Sequence, residues 1–290
     1  MKVCRTVQEL REATRVWRGK GESLGFVPTM GCLHRGHLSL VERSRRENDK
    51  TVVSIFVNPL QFGPKEDFSV YPRTEEEDRR VLEQGGADLL FLPRVEEIYP
   101  PGFQTYCEVT QLTKPLCGLT REGHFRGVTT VVLKLFNIVS PQRAYFGQKD
   151  AQQAIVLTRM VEDLALNINL RVCPIVREQD GLALSSRNRY LSREEREQAP
   201  GLSRALGRAE SLFLEGERGA RVLRDAVREE LGRLPLFTPE YVELVDLGTL
   251  LPVERVESKA LLLLAGRLGR TRLIDNIVLG GTYVDLGTQE

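Results

Sequence analysis

The chain carries only three histidines, and two of them, His34 and His37, stand three residues apart in Pro28-Thr29-Met30-Gly31-Cys32-Leu33-His34-Arg35-Gly36-His37. An imidazole can donate or accept a hydrogen bond and can change charge near neutral pH. Before the pair, Leu24-Gly25-Phe26-Val27 reads as the end of a buried strand. After it, Leu38-Ser39-Leu40-Val41 opens a helix of apolar period. A corner of this kind aims backbone N–H groups and the positive end of the helix dipole at whatever binds above it, which favours an anion such as a phosphate. Gly31 and Gly36 are expected to let a ligand approach the backbone closely.

Zinc is the competing chemistry, because Cys32, His34 and His37 form a Cys-x-His-x2-His cluster. Structural zinc sites usually draw on cysteines paired at short spacing, and none of the five cysteines forms a Cys-x2-Cys pair, so the phosphate reading is preferred. No stretch fits Gly-x4-Gly-Lys-Ser/Thr. Gly19-Lys20-Gly21 begins a dinucleotide fingerprint but meets Leu24 at its third glycine, so it reads as a turn.

Four further segments hold groups that could act on the same ligand. Lys149, in Tyr145-Phe146-Gly147-Gln148-Lys149-Asp150-Ala151-Gln152-Gln153, stands where a strand gives way to a helix. From there an ammonium can reach a phosphate, while Asp150 can cap the helix or bond a ribose; the plainer alternative is a surface Lys-Asp pair. The hydroxyls and guanidinium of Ser185-Ser186-Arg187 suit phosphate oxygens, arginine through its rigid fork, although the loop would also serve as a linker. Asn58 and Gln61, after the next strand, suit the hydroxyls and carboxylate of a small polar acid, or simply cap a turn at Pro59. Arg121 and His124 precede a helix start, where His124 could equally cap or pack.

The elements that must position these groups alternate. Residues 51–57 form a β-branched run, 75–84 a charged helix, 88–92 a short strand, 128–139 an apolar helix, 144–146 a strand, 151–164 a helix and 167–176 a strand. This alternation predicts a parallel α/β sheet covered on both faces over residues 1–176, with ligands gathered at the carboxyl ends of its strands. From 177 to 290 the pattern changes to charge-rich helices over 192–234 and strands at 241–246 and 260–264, a smaller α+β domain with its hinge near 174–178. A net charge of +1 gives no footprint for a nucleic-acid or membrane partner. The scattered cysteines and the lack of a signal-peptide core point to a cytoplasmic protein.

His-x-Gly-His after a first strand resembles the signature of the nucleotidyltransferase superfamily, which implies that the sheet over residues 1–176 is Rossmann-like and binds ATP. Within it, Pro28-Thr29-Met30-Gly31 with His34 and His37, then Asn58-Pro59-Leu60-Gln61-Phe62, Tyr71-Pro72-Arg73-Thr74, Gly147-Gln148-Lys149-Asp150 and Ser185-Ser186-Arg187-Asn188-Arg189, resemble the pantothenate synthetases in order along the whole chain. Glu122 stands where that family usually has proline, and Cys32 and Arg35 also depart from its usual residues. The resemblance implies ATP-dependent condensation of pantoate with β-alanine through an acyl adenylate, with Mg2+ accompanying ATP, in a homodimer. It implies ATP binding by Met30, Gly31, His34, His37, Gly147, Lys149, Asp150, Ser185, Ser186 and Arg187, with His34, His37, Lys149 and Arg187 supplying charge and donors in catalysis. It further implies pantoate binding by Asn58, Gln61 and Gln153, substrate contacts by Arg121 and His124, and Asp78 as a water-mediated magnesium ligand. Cys32, beside the phosphate corner, is expected to confer sensitivity to thiol reagents. The alternatives are nucleotidyl transfer to another small acceptor, disfavoured by the polyol-like set Asn58/Gln61/Gln153, and a nucleotide- or RNA-binding module, disfavoured by the charge.

Overall fold

The computed structural model describes residues 1–64, 66–282 and 284. The first part comprises β1 (Lys2–Cys4), α1 (Val7–Gly19), β2 (Leu24–Thr29), α2 (Arg35–Glu47), β3 (Lys50–Ile55), α3 (Glu75–Gly85), β4 (Leu89–Phe91), α4 (Val95–Ile98), α5 (Cys117–Thr120), α6 (His124–Val139), β5 (Arg143–Gly147), α7 (Ala151–Asp163) and β6 (Asn169–Cys173). The second comprises α8 (Arg193–Gln198), α9 (Gly201–Leu214), α10 (Ala220–Leu231), β7 (Phe237–Val245), β8 (Ala260–Leu268) and β9 (Thr271–Leu279).

The six N-terminal strands make one parallel sheet in the order β1-β4-β3-β2-β5-β6. Alternation along the strands sends Phe26, Val52 and Leu89 to one face, against α1, α6 and α7. Val27, Val53 and Leu90 go to the other, against Leu40 and Val41 of α2 and Leu82 of α3. The chain runs outward from β2 through β3 to β4, then returns to place β5 on the other side of β2. The switch point therefore lies between the carboxyl ends of β2 and β5, where open parallel sheets bind their ligands. The two motifs with His37 and Lys149 follow those two ends.

The C-terminal strands form an antiparallel sheet, β7-β8-β9. Leu262 and Leu264 face α9 and α10, whereas Leu261 and Leu263 join the core beneath the parallel sheet. The expected α/β sheet and smaller α+β part are both present, with one apolar core running across them. The elements expected from sequence omit β1, α1, the short α4 and α5, and β9, and make β6 several residues too long. Among the described residues no helix is long and apolar enough to cross a membrane.

Candidate active site

Between β2 and α2 the chain makes a tight corner. Thr29 Oγ1 donates to the Ser54 carbonyl at 2.8 Å and accepts from the Gly31 N–H at 3.2 Å. Gly31 is left-handed (φ 83°), and a Cβ there would meet Ile55 Cγ2 at 2.9 Å and Asp78 Oδ2 at 3.0 Å. Its glycine serves the turn and the packing beneath it, not ligand approach. Gly36 has the same explanation, since a Cβ there would strike the His34 ring at 2.9 Å.

Asp78, on α3, is buried under this corner. Its Oδ2 accepts from Cys32 N–H at 2.9 Å and its Oδ1 from Leu33 N–H at 2.7 Å, with the Thr74 hydroxyl adding a third bond at 3.2 Å. Both oxygens are engaged by the loop that carries His34, which corrects the expectation of a magnesium ligand: Asp78 positions the corner. Cys32 is likewise enclosed, 1% exposed, and burial pushes its thiol up, so the expected thiol sensitivity at this residue is corrected as well. Among the described residues no group of three or more His, Cys, Asp or Glu side chains could hold a metal ion.

The two histidines replace the usual hydroxyl and carboxylate of a capping box. His34 is the N-cap of α2, and its Nδ1 accepts from the Gly36 N–H at 3.1 Å. His37 Nδ1 accepts from the His34 N–H at 3.3 Å. Both protons therefore sit on Nε2, so each ring presents one N–H donor. Burial, reinforced by Lys149, lowers His34 to about 4; burial and His34 itself lower His37 to about 3. The pair is neutral at physiological pH, correcting the view that these rings supply positive charge.

His124 is neutral for a related reason. Its Nδ1 lies 2.8 Å from the Gln61 carbonyl and must donate, so its Nε2 accepts from Arg121 Nη1 at 2.9 Å. Burial, then Arg121, lowers it to about 4. Histidines in the unfolded chain titrate near about 6.5. As pH falls below that value the unfolded state takes up protons that the native state refuses until about 4, so this contribution to stability is lost across that window and levels off below it. In an NMR titration of the ligand-free protein, all three rings are expected to remain neutral at pH 5.5, with His34 and His37 protonated on Nε2 and His124 on Nδ1. A midpoint near 6.5 for His34 or His37 would contradict the capping geometry.

On the other side of the switch point, β5 ends at Gly147, where a Cβ would meet nothing within 4 Å. This glycine does leave open space. Lys149 Nζ lies 3.7 Å from Asp150 Oδ2, a loose pair. Asp150 makes no side-chain cap bond to α7, so its carboxylate is available to a ligand. The backbone beneath them is held from β9: Asn276 Nδ2 donates to the carbonyls of Gln148 at 3.0 Å and Lys149 at 3.1 Å. Gln153 faces the cleft. Gln152 turns away, donating to the Leu112 and Pro115 carbonyls.

Asn58 is buried and fully used. Its Nδ2 donates to the Gly127 carbonyl at 3.0 Å and to Gln61 Oε1 at 3.1 Å, while its Oδ1 accepts from Leu60 N–H and the Tyr99 hydroxyl. Asn58 thus does not line the cleft; it turns Gln61 so that Nε2 points toward Met30 Sδ and the cavity. Arg121 is held by both oxygens of Glu66, at 2.6 and 2.8 Å. Ser185 Oγ caps the Arg187 N–H, and Ser186 Oγ donates to the Cys32 carbonyl at 3.1 Å, tying this loop to the histidine corner. Arg187 makes a two-point pair with Asp67, Nε to Oδ2 at 3.0 Å and Nη2 to Oδ1 at 2.9 Å. Burial alone would lower its pKa, and Asp67 more than restores it.

These groups line two joined clefts. The inner, about 230 Å³, holds Met30, His34, His37, Gln61, Gly147 and Gln153 beside an apolar wall of Val128, Val131, Val132 and Leu135, with Ile175, Val176 and Leu184 also on its lining. The outer, about 540 Å³, adds Glu66, Asp67, Tyr241 and Arg272. Arg121, His124, Lys149, Asp150, Gln153, Ser185 and Arg187 border both. Sequence reasoning missed Glu66, Asp67, Tyr99 and Asn276, whose partners lie 41 to 128 residues away.

Compared with known proteins, residues 2–278 match the family model described as pantoate-beta-alanine ligase. Curated relatives include the pantothenate synthetase of Thermotoga neapolitana, 56% identical over 280 residues that cover 97% of this chain and 100% of that one. That of Acetivibrio thermocellus is 51% identical over 279 residues, covering 96% and 99%. Among solved structures, a pantothenate synthetase from Thermus thermophilus aligns with a TM-score of 0.91 at 51% identity, covering 95% and 98%. The pantoate-beta-alanine ligase from Francisella tularensis, complexed with beta-gamma ATP and beta-alanine, aligns at 0.79 with 32% identity, covering 98% and 100%.

Proposed function

This chain belongs to the pantoate-β-alanine ligase family, and we propose that it activates pantoate as an acyl adenylate in the cleft at the β2/β5 switch point. It is an ATP-dependent ligase that joins pantoate to β-alanine to form pantothenate. The observation that carries the route is the convergence on one cleft of two neutral N–H donors, His34 and His37, a loosely paired lysine, Lys149, and an amide donor, Gln61, beside an apolar wall.

Pantoate is a dihydroxy acid with two methyl groups on one carbon. Gln61 Nε2 and Gln153 take its oxygens, and Val128, Val131, Val132 and Leu135 receive the methyls. The nucleotide lies along Gly147, Lys149 and Asp150, with Ile175, Val176 and Leu184 as the apolar lining for its base and Asp150 for its ribose. In the first step a pantoate carboxylate oxygen attacks the α-phosphorus, the bond to the bridging oxygen breaks, and pyrophosphate leaves. Lys149 supplies charge to the α-phosphate and the Nε2–H groups of His34 and His37 supply donors. Ser185, Ser186 and Arg187 take the departing pyrophosphate. In the second step the neutral amine of β-alanine attacks the acyl carbon, AMP leaves, and the nitrogen loses a proton. Arg121 and His124, at the junction of the clefts, border the amine's approach from the outer cavity.

The described residues bring no three His, Cys, Asp or Glu side chains together as a metal-holding group. Magnesium would enter with the phosphates of ATP as part of the substrate, and no step is assigned to a protein-held ion. Water is excluded at the loop carrying Arg187 and the facing segment 66–71, rather than by a wide swing of the C-terminal part about 174–178, because Leu261 and Leu263 pack into the first core. We place the enzyme in the cytoplasm as a homodimer. The reading is tested by whether ATP is cleaved reversibly in the presence of pantoate before any amine is added.

A further inference from the structure

We propose that Asp67 is a specificity-determining residue that occupies Arg187 in place of the nucleotide's terminal phosphates, so that nucleotides compete with it only if they carry a pyrophosphate moiety. The proposal rests on the reading of Arg187 as a phosphate-binding residue. Asp67 uses both oxygens on the Nε/Nη2 edge of the guanidinium, at 3.0 and 2.9 Å, the same edge that two phosphate oxygens would take. The Arg187 side chain is only 27% exposed. A charge so placed is costly to leave unpaired, and Asp67 keeps it paired until the phosphate arrives.

The placement separates nucleotides by their length. Asp67 lines the outer cavity and not the inner one, whereas His34 and His37 line only the inner. An α-phosphate held by Lys149 and the histidines does not need Arg187, but the β- and γ-phosphates reaching outward do. Displacement also loosens a strap. Glu66, beside Asp67, holds Arg121 on the facing side of the opening, and Tyr190 donates to the Val70 carbonyl at 3.4 Å. The segment 66–70 is thus fastened to both sides of the mouth, and the Asp67 pair is the fastening that a phosphate can replace. A carboxylate bears one negative charge where the pyrophosphate end of ATP bears more, so the exchange favours ATP without either state leaving Arg187 bare.

Asp67→Asn keeps the shape and removes the competing charge. In calorimetric titrations of the full-length protein, D67N is expected to bind inorganic pyrophosphate and ATP about tenfold more tightly than the parent, with AMP binding unchanged. The unchanged AMP affinity also reports that the variant is folded. Arg187→Ala, measured alongside, is expected to weaken pyrophosphate and ATP and to spare AMP. If R187A weakens pyrophosphate while D67N leaves it unchanged or weaker, the inference about Asp67 is overturned and the phosphate role of Arg187 stands. Equal tightening of AMP and pyrophosphate in D67N would overturn the selectivity, reducing it to a general change of charge. If R187A leaves pyrophosphate binding intact, the reading of Arg187 fails and the inference falls with it.

Discussion

Replacing Lys149 by alanine is expected to lower kcat by about a hundredfold or more, the scale for losing one donor aimed at a developing charge, while the protein stays as stable as the parent. The stability half follows from local geometry. The backbone of Gln148 and Lys149 is fixed by the Asn276 amide from β9, which does not depend on the lysine side chain, and the ammonium has only a 3.7 Å pair with Asp150 to lose. The kinetic half follows from the neutrality of the histidines. His34 and His37 have their Nδ1 atoms engaged by backbone N–H groups and do not carry charge at pH 7. Of the other cations on the inner cleft, Arg121 is locked to Glu66 and Arg187 to Asp67. Among the described residues of the inner cleft, Lys149 is therefore the cation free to meet charge that builds on the α-phosphate. Steady-state kinetics with thermal unfolding decide the matter, and parental turnover in a folded K149A would remove Lys149 from the transition state.

The second large effect is expected at a residue that touches no substrate. Asp78→Ala strands the Cys32 and Leu33 N–H groups in a buried site. At about 1–3 kcal/mol for each unsatisfied group, a loss of about 3 kcal/mol in unfolding free energy is expected in urea titrations. Activity should fall by about tenfold or more, because the loop released is the one that delivers His34 and His37. Raising magnesium should not restore it. Unchanged stability, with activity recovered by excess magnesium, would instead make Asp78 a metal residue.

The switch-point site was largely legible because its parts are local. A strand, a corner and a helix lie within one short string around His34 and His37, and Lys149 comes after Ala144-Tyr145-Phe146 with only Gly147 and Gln148 between. The capping box of α1 was equally local, in Thr6-Val7-Gln8-Glu9, and could have been read from its spacing. Strand β9 was hidden by Arg272, Asp275 and Asn276, polar residues that break an apolar pattern. Asp275 is buried because Arg177 meets it at 2.6 and 2.9 Å, a partner 98 residues away. A still longer separation, 120 residues, concealed the pairing of Asp67 with Arg187. Other errors were of role, not location. Gly31 and Gly36 make room for the protein's own side chains, Asn58 orients Gln61, and the histidines donate without charge. Residue type alone cannot distinguish a group facing a ligand from one facing its neighbour.

The central claim is that pantoate is activated by transfer of AMP before the amine takes part. Its most direct test is isotope exchange between labelled pyrophosphate and ATP, run with the full-length protein and magnesium, with and without pantoate, in the complete absence of β-alanine. Label is predicted to enter ATP only when pantoate is present, since pyrophosphate must attack pantoyl adenylate to regenerate ATP. A protein that makes pantothenate when β-alanine is added, yet shows no pantoate-dependent exchange under conditions where pyrophosphate binds, would contradict the adenylate route.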